Sequence, residues 1–365
     1  MEYTTLDKIC ENLDFQRKPI TGSDRVAGNI PYYGASGIVD YVQDYIFDEK
    51  LLLVSEDGAN LLARSTPIAF SVEGKTWINN HAHVLRFADN TVQKYVELYL
   101  NSISLEPYIS GSAQPKLNQK MLNKIPIPLV DKETMELAVS VVERVKQLIN
   151  IRKKELEELD NLIKSRFVEF FGEPSSNPKG YPQKLLPEIA EYWNGLTYKP
   201  EDVSDEGIIV LRSSNIQNAT LDFEDTVRVS CKIGEKKYVQ DKDILMCSRN
   251  GSARLVGKVA LIKNIKEPMS FGAFMMIIRS SYYPYLMTYF QLPAFRAQIT
   301  TGATTTINQI TGRMLDVVKV PVPDIEAVNR FAAFVHQVDK FKFKVEKSLN
   351  ETQQLFDSLM QKYFG

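Results

Sequence analysis

A chain of 365 residues with 44% hydrophobic and 24% charged side chains has the composition of a soluble globular protein, and its length exceeds what one ordinary core organises, so two or more domains are expected. No run is long and apolar enough to span a bilayer, and the N-terminal Met-Glu-Tyr-Thr-Thr-Leu-Asp shows no basic stretch leading into an apolar one, so neither membrane nor signal peptide is expected. The net charge of −1 divides into −3 over residues 1–130, −1 over 131–172, +3 over 173–323 and 0 over 324–365. A lone DNA-binding domain is usually more basic than any of these, so either nucleic acid is not the ligand or a partner supplies much of the phosphate-neutralising charge.

Residues 1–130 read as a compact α/β unit. Tyr3–Leu13 has a helical pattern, and a polar loop follows. Residues 30–42 are strand-like with turn glycines at Gly34 and Gly37. Leu51-Leu-Leu-Val-Ser is a buried-strand run ending in the polar turn Glu56-Asp57-Gly58-Ala59-Asn60. Ile68–Val72 and Trp77–Phe87 suggest two further strands, and Val92–Ser102 a helix with Tyr95, Leu98 and Tyr99 on one face. A small polar loop around Ser110–Gln119 precedes the breaker Pro126-Ile-Pro128.

From about Thr134 to Phe170 runs a helical pattern of roughly 37 residues, about 55 Å at 1.5 Å per residue. Its narrow apolar stripe, including Ala138, Val142, Val145, Ile149, Leu156 and Ile163, calls for a partner helix. Residues 173–182 are a Pro/Gly/Ser-rich linker. A second mixed unit extends to residue 323. Leu185–Trp193 reads as a helix, Ile208–Ile216 and Asp243–Cys247 as strands running into polar turns, Lys258–Ile262 and Ala273–Arg279 as strands, and Tyr285–Gln298 as a helix. A second long helical pattern fills residues 324–365.

The two long patterns are copies. Each opens on Pro-x-Pro, lacks internal Gly or Pro, and closes on Phe-Gly; setting Gly172 against Gly365 aligns Val145 with Val338, Leu156 with Leu349, Leu162 with Leu355 and Phe171 with Phe364. Thr301–Gln309 answers Gly111–Gln119 in the same way, so the repeat is domain, helix, domain, helix. The expected fold is α+β, with two globular α/β domains (1–130 and, with its linker, 173–323) separated by helices 131–172 and 324–365. Those helices would pair antiparallel as a coiled coil with pseudo-twofold symmetry. Arg152 and Lys342 break the apolar seams at different places, which favours two distinct helices packing on each other.

The stretches IPYYGASGIVDYV (30–42), LLVSEDGANLLAR (52–64), WINNHAHVLRF (77–87) and QPKLNQKMLNKIPIPL (114–129) resemble the first recognition domain of the specificity subunits of type I restriction–modification systems. In the second half, residues 208–225, 243–262, 270–280 and 304–323 are similar to the same family. The resemblance implies a reader of double-stranded DNA with two target recognition domains and two spacer helices; the isolated cysteines fit reduced, cytoplasmic thiols, and the lack of catalytic motifs fits a non-catalytic chain. The resemblance also implies assembly with two modification (methyltransferase) subunits, to which restriction (motor-nuclease) subunits add.

The polar turns then become the candidate DNA contacts: Tyr32, Tyr33, Ser36, Asn60, Arg64, Asn79, Asn80, His81, Gln114 and Lys116 in the first domain. In the second they are Arg212, Ser214, Asn215, Ser248, Arg249, Asn250, Ser252, Thr304 and Thr305. Arg reads guanine O6 and N7, Asn and Gln read adenine N6 and N7, and Ser or Thr bind phosphate or either base edge. Tyr32 and Tyr33 are suited to stacking on a base. Turn chemistry and internal hydrogen bonds are the competing reading for each. Each domain is expected to read one half of a bipartite, asymmetric site from the major groove. The rod would hold half-site centres about one to one-and-a-half helical turns apart at ~3.4 Å per base pair.

No cofactor, metal or catalytic centre is expected. His81 and His83 share a strand face, but the other histidine, His336, lies in the second long helix. Asn29-Ile-Pro-Tyr approaches the motif of adenine methyltransferases, yet no Gly-rich loop follows a strand as that chemistry requires. The three cysteines are isolated, which argues against a disulfide framework or zinc site. The alternatives are a coiled-coil scaffold that does not bind DNA and a stand-alone adenine methyltransferase.

Overall fold

A computed structural model of the protein describes residues 2–111, 114–300 and 309–365. The chain divides into two compact units, one of Met1–Lys153 with Lys347–Gly365 and one of Lys154–Glu346. Two helices of 40 residues each, Lys132–Phe171 and Ile325–Phe364, contribute a half to each unit. Among the described residues no helix is long and apolar enough to cross a membrane.

In the first unit a four-stranded antiparallel sheet has the order Glu11–Asn12, Ala82–Arg86, Leu51–Ser55, Ala69–Val72. A second sheet has the order Gly37–Val42, Ala27–Gly34, Lys75–Ile78, Phe47–Asp48, in which Ala27–Gly34 and Lys75–Ile78 run parallel. The continuous apolar run at Leu51 is explained by burial on both faces. Successive strand side chains point to opposite sides. Leu52 and Val54 join Tyr95, Leu98, Tyr99, Ala138 and Val142, whereas Leu51 and Leu53 join Leu13, Phe47, Ile78 and Val84. Each fully buried leucine stabilises the unit by about 1.5–3 kcal/mol relative to exposure.

The second unit repeats this plan. Its antiparallel sheet has the order Glu191–Asn194, Met275–Arg279, Ile244–Cys247, Val259–Leu261. Its second sheet sets Val203–Leu211 antiparallel to Arg228–Val229 and parallel to Met269–Phe271. Ile244 and Met246 enter one core, Leu245 and Cys247 the other. Even an irregularity is duplicated: Ala27 and Ile30 both face Val42, and Val203 and Ile208 both face Val229. A glycine lies in each bulge, because a Cβ at Gly28 would meet the Val42 carbonyl at 2.4 Å and one at Gly207 (φ +131°) the Val229 carbonyl at 2.3 Å.

The helix ends are anchored on aromatic side chains. Phe364 lies 5.2 Å from Tyr95 in the first unit, ring centre to ring centre, and Phe171 lies 5.0 Å from Tyr285 in the second. These are the two phenylalanines that the repeat aligns. In the second unit Phe167 also packs on Phe331 at 5.6 Å, and Lys342 Nζ meets Asp160 Oδ1 at 2.6 Å, so the helix halves run antiparallel there. The seam break at Lys342 is thus a pairing contact, with the lysine side chain only 9% exposed.

Three expected helices are corrected. Tyr3–Leu13 is a strand (Glu2–Thr4), a helical turn (Leu6–Ile9) and a strand (Glu11–Asn12), because its backbone pairs with Ile127–Leu129 and Leu85–Arg86. Leu185–Trp193 ends in the strand Glu191–Asn194 for the same reason, its partner being Met276–Arg279. Long-range pairing outweighs local helical pattern at both sites. The helix expected over Tyr285–Gln298 is two, Tyr283–Tyr289 and Pro293–Thr300, since Pro293 lacks the amide that would continue the first.

Candidate functional site

In the first unit three polar loops meet at the end of the Leu51–Ser55 strand. The Glu56 amide donates to the His81 carbonyl (2.9 Å), the Leu117 amide to the Glu56 carbonyl (2.7 Å) and the Gly58 amide to the Pro115 carbonyl (3.1 Å). Asp57 and Lys116 form an antiparallel bridge. The turn between the Ala27–Gly34 and Gly37–Val42 strands joins them, since Ser55 Oγ donates to the Ala35 carbonyl.

Beneath the loops lies a charged network. Arg17 Nη1 donates to Glu56 Oε2 at 2.5 Å, to the Ala82 carbonyl at 2.8 Å and to the Asn80 carbonyl at 3.4 Å; Lys116 Nζ reaches Glu56 Oε1 at 3.1 Å. His83, 1% exposed, bonds through Nδ1 to Asp14 Oδ2 (2.5 Å) and through Nε2 to the Leu117 carbonyl (2.7 Å). The ring faces an acceptor at each nitrogen. Burial raises the Asp14 carboxyl, but the His83 bond and charge, the Val84 amide and Arg17 outweigh it and hold the group below the usual carboxylate range. Burial likewise opposes the fall at Glu56, where Arg17, His83 and Lys116 prevail. Ligand-type atoms of Asp14, Glu56 and His83 lie within 4.8 Å of one another. Arg17 and Lys116 already supply positive charge to this group, so an ion-pair network accounts for it without a metal.

The second unit carries the same backbone scaffold at the end of the Ile244–Cys247 strand. The Ser248 amide donates to the Phe274 carbonyl (2.9 Å), the Ile310 amide to the Ser248 carbonyl (2.7 Å), and Arg249 bridges to Gln309. Glu56, Asp57, His81, Lys116 and Leu117 therefore correspond in turn to Ser248, Arg249, Phe274, Gln309 and Ile310, which corrects the expected loop match: Gln309 answers Lys116, three residues before Gln119. A capping residue follows in both copies, with the Asn118 side chain accepting from the Met121 amide and the Thr311 hydroxyl from that of Met314. The outward side chains, unlike the backbone, differ. His81 Nδ1 donates to Asp57 (2.8 and 3.0 Å), whereas the Arg249 guanidinium stacks 5.3 Å from the Phe274 ring centre.

Of the residues singled out by sequence, the structure gathers Asn79, Asn80, His81 and Lys116 at the first cluster, with Ser36 exposed in the adjoining turn. Asn79, 6% exposed, accepts the His81 amide through Oδ1 and holds that turn. Gln114 is exposed in the 110–117 loop. Ser248, Arg249, Asn250 and Ser252 lie together in the second cluster, where Asn250 bonds to Ser213 Oγ and accepts from the Ser252 amide. Others serve the fold. Arg64 binds the carbonyls of Leu100, Asn101 and Ile103 at 2.6–3.0 Å, capping the Asn90–Ser102 helix. Asn60 is bonded to Ser65 and Thr66. Tyr32 is 1% exposed beneath the Arg25 guanidinium and accepts the Ile20 amide, while Tyr33 packs on Phe70. Asn215, 1% exposed, donates to the carbonyls of Asp222 and Asp225, the Ser214 carbonyl accepts from Gln217, and Arg212 pairs with Asp225. Thr304 and Thr305 lie outside the described residues. Sequence reasoning passed over Arg17 and Phe274 and took Asp57 only as part of the polar turn Glu56–Asn60; matching the loops that follow the two apolar strands would have set Asp57 against Arg249.

Solved structures share this architecture. A type I restriction–modification S subunit from M. genitalium superposes with a TM-score of 0.58 over 100% of this chain and 96% of its own, at 14% identity. A chain from a structure of complex assembly and conformational transition in a type I R-M system gives 0.52 over 100% and 97%, at 16% identity. At those identities the likeness is one of fold. The sequence model of the type I restriction modification DNA specificity domain matches residues 1–161 and again 178–354. The chain belongs to this family. Among curated relatives, a Haemophilus influenzae protein named as a type I restriction enzyme specificity subunit is 37% identical over 129 residues, 35% of this chain and 33% of its own. The StySPI specificity subunit of Salmonella potsdam is 27% identical over 183 residues, 47% of this chain and 39% of its own. The chain thus covers about a third to two-fifths of the length of these curated relatives.

Proposed function

We propose that the chain is the DNA-reading subunit of a type I restriction–modification complex, each unit recognising one half of a bipartite, asymmetric site in double-stranded DNA. The observation that carries this reading is the duplicated loop cluster: one backbone scaffold bearing unlike side chains in its two copies. A shared scaffold supports equivalent docking on duplex DNA, and unlike side chains support unequal half-sites. The polar, hydrogen-bonding character of both clusters fits base-edge and phosphate contact. The subunit itself does no chemistry in this reading and works with cytoplasmic partners.

The long helices would form an antiparallel coiled coil that fixes half-site spacing and docks two methyltransferase subunits, with restriction subunits joining the larger assembly. Apolar side chains left exposed on the helix halves support a docking role: Leu137, Leu148 and Ile151 in the first unit, Phe341 and Phe343 in the second. The near-neutral charge supports a division of labour in which partner subunits provide most of the backbone grip. The test is selection from a randomised duplex library by the full chain with its co-purifying subunits. Enrichment of a two-part motif is expected. Absence of any enriched motif would leave the coiled-coil scaffold as the better account.

A further inference from the structure

Asp57 with His81 and Arg249 with Phe274 occupy the same place in the duplicated scaffold. In each, the first residue follows directly on the position whose amide binds the opposing turn (Glu56 to His81, Ser248 to Phe274), and it bridges to the same third loop (Lys116, Gln309). In each, a ring from the opposing turn lies against the side chain. His81 is half exposed, Phe274 is 59% exposed, and Arg249 is exposed. Each pair therefore reaches solvent, through His81 in the first copy, where Asp57 is only 17% exposed, and through Arg249 and Phe274 in the second, supported from behind by backbone bonds.

The two pairs present opposite hydrogen-bonding faces. Asp57 takes the Nδ1 proton of His81, so any bond from that ring to a ligand is made by Nε2. In the neutral ring this fixes Nε2 as an acceptor, because the partner of one nitrogen sets the tautomer of the other. An outward acceptor matches an exocyclic amino group, cytosine N4 or adenine N6. Arg249 offers only donors. The Phe274 ring, its centre 5.3 Å from the guanidinium carbon, restricts where that group can lie, and a guanidinium suits the two-pronged bond to guanine O6 and N7.

Building on the DNA-reading assignment, we propose that these pairs are equivalent base-reading positions of opposite polarity. His81, oriented by Asp57, reads an amino-bearing base in one half-site. Arg249, oriented by Phe274, reads guanine in the other. Exchange of the two residues of one pair would then suffice to make the half-sites unlike.

The experiment is library selection with the full chain and its co-purifying subunits, comparing the unaltered protein with His81→Ala, Arg249→Gln and the transplant Asp57→Arg/His81→Phe. Arg249→Gln is expected to lose the guanine preference at one position of one half-site by at least tenfold, and His81→Ala to relax one position of the other half-site. The transplant is expected to select guanine at the position relaxed by His81→Ala, with the second half-site unchanged. Uniform weakening of all sequences by Arg249→Gln, with the motif intact, would mark a phosphate contact and overturn the proposal. So would a transplant that retains the original motif. If the unaltered protein itself enriches no motif, the DNA-reading assignment fails, a result distinct from either. Circular dichroism and intact selection at the untouched half-site identify a variant that has merely lost its fold.

Discussion

Replacing Arg17 by Met keeps the apolar stem and removes the charge that ties three loops together. The guanidinium bonds Glu56 at 2.5 Å and the Ala82 carbonyl at 2.8 Å, and its Nε bonds the Asp14 carbonyl at 3.0 Å. The Arg17 and Glu56 side chains are 13% and 11% exposed, so solvent replaces little of what is lost. Breaking a buried pair by removing one partner costs about 3–5 kcal/mol. Lys116 remains beside Glu56 at 3.1 Å, but its side chain is 51% exposed and compensates only in part. A loss of about 3 kcal/mol is therefore expected for the first unit, measured by urea unfolding followed by hydrogen exchange at the Leu51–Ser55 amides. The cycle with Glu56→Gln makes the reasoning specific. A neutral partner needs no cation, so adding Glu56→Gln to Arg17→Met should recover about 1–2 kcal/mol. Strict additivity of the two losses would show that Arg17 acts through packing alone and would refute the electrostatic account.

Three further outcomes follow from the same geometry. Asp14 and Glu56 are held below their ordinary range in the folded protein, so the stability they confer is present above their unfolded values and lost as pH falls through the folded ones. Acid unfolding of the first unit should thus begin below about pH 4 and be less steep in Glu56→Gln, which an acid titration followed by tyrosine fluorescence can check. Phe364→Ala and Phe171→Ala empty equivalent aromatic sites and should each cost about 3–5 kcal/mol, the first in amides of the first unit and the second in those of the second, as hydrogen exchange would resolve. Deleting the matched turns Ile151–Lys154 and Lys344–Lys347 removes about 6 Å of helix; the gap in the selected motif should shorten by about two base pairs, and an unchanged gap would dismiss the ruler.

The repeat was legible because it is written in punctuation and in buried apolar positions. Pro-x-Pro and Phe-Gly bound both long helices, and the phenylalanines of those endings prove to fill matching sites against Tyr285 and Tyr95. The strands at Leu51 and Ile244 announced themselves as apolar runs, since burial on both faces leaves no polar alternation. Tyr3–Leu13 misled because its pairing partners lie far along the chain, where no local pattern registers them. The site was legible only in part. Lys116, His81 and Arg249 stand in the clusters, but residue type alone does not say whether Arg64 or Asn215 turns its donors outward or toward backbone carbonyls. Phe274 carried no local signal and Asp57 only that of a polar turn; their meaning comes from backbone bonds that give Asp57 and Arg249, and likewise His81 and Phe274, equivalent places in two copies of one scaffold.

If two unlike readers are carried on one chain, the modification pattern of the cell must show it. Methylation mapping across the genome of cells that express this chain with the methyltransferase it assembles with tests it most directly. The account predicts one modified motif of two unlike specific parts separated by a fixed stretch of unspecified bases. A contiguous motif, two identical half-sites, or a methylation pattern that does not depend on this chain would contradict it.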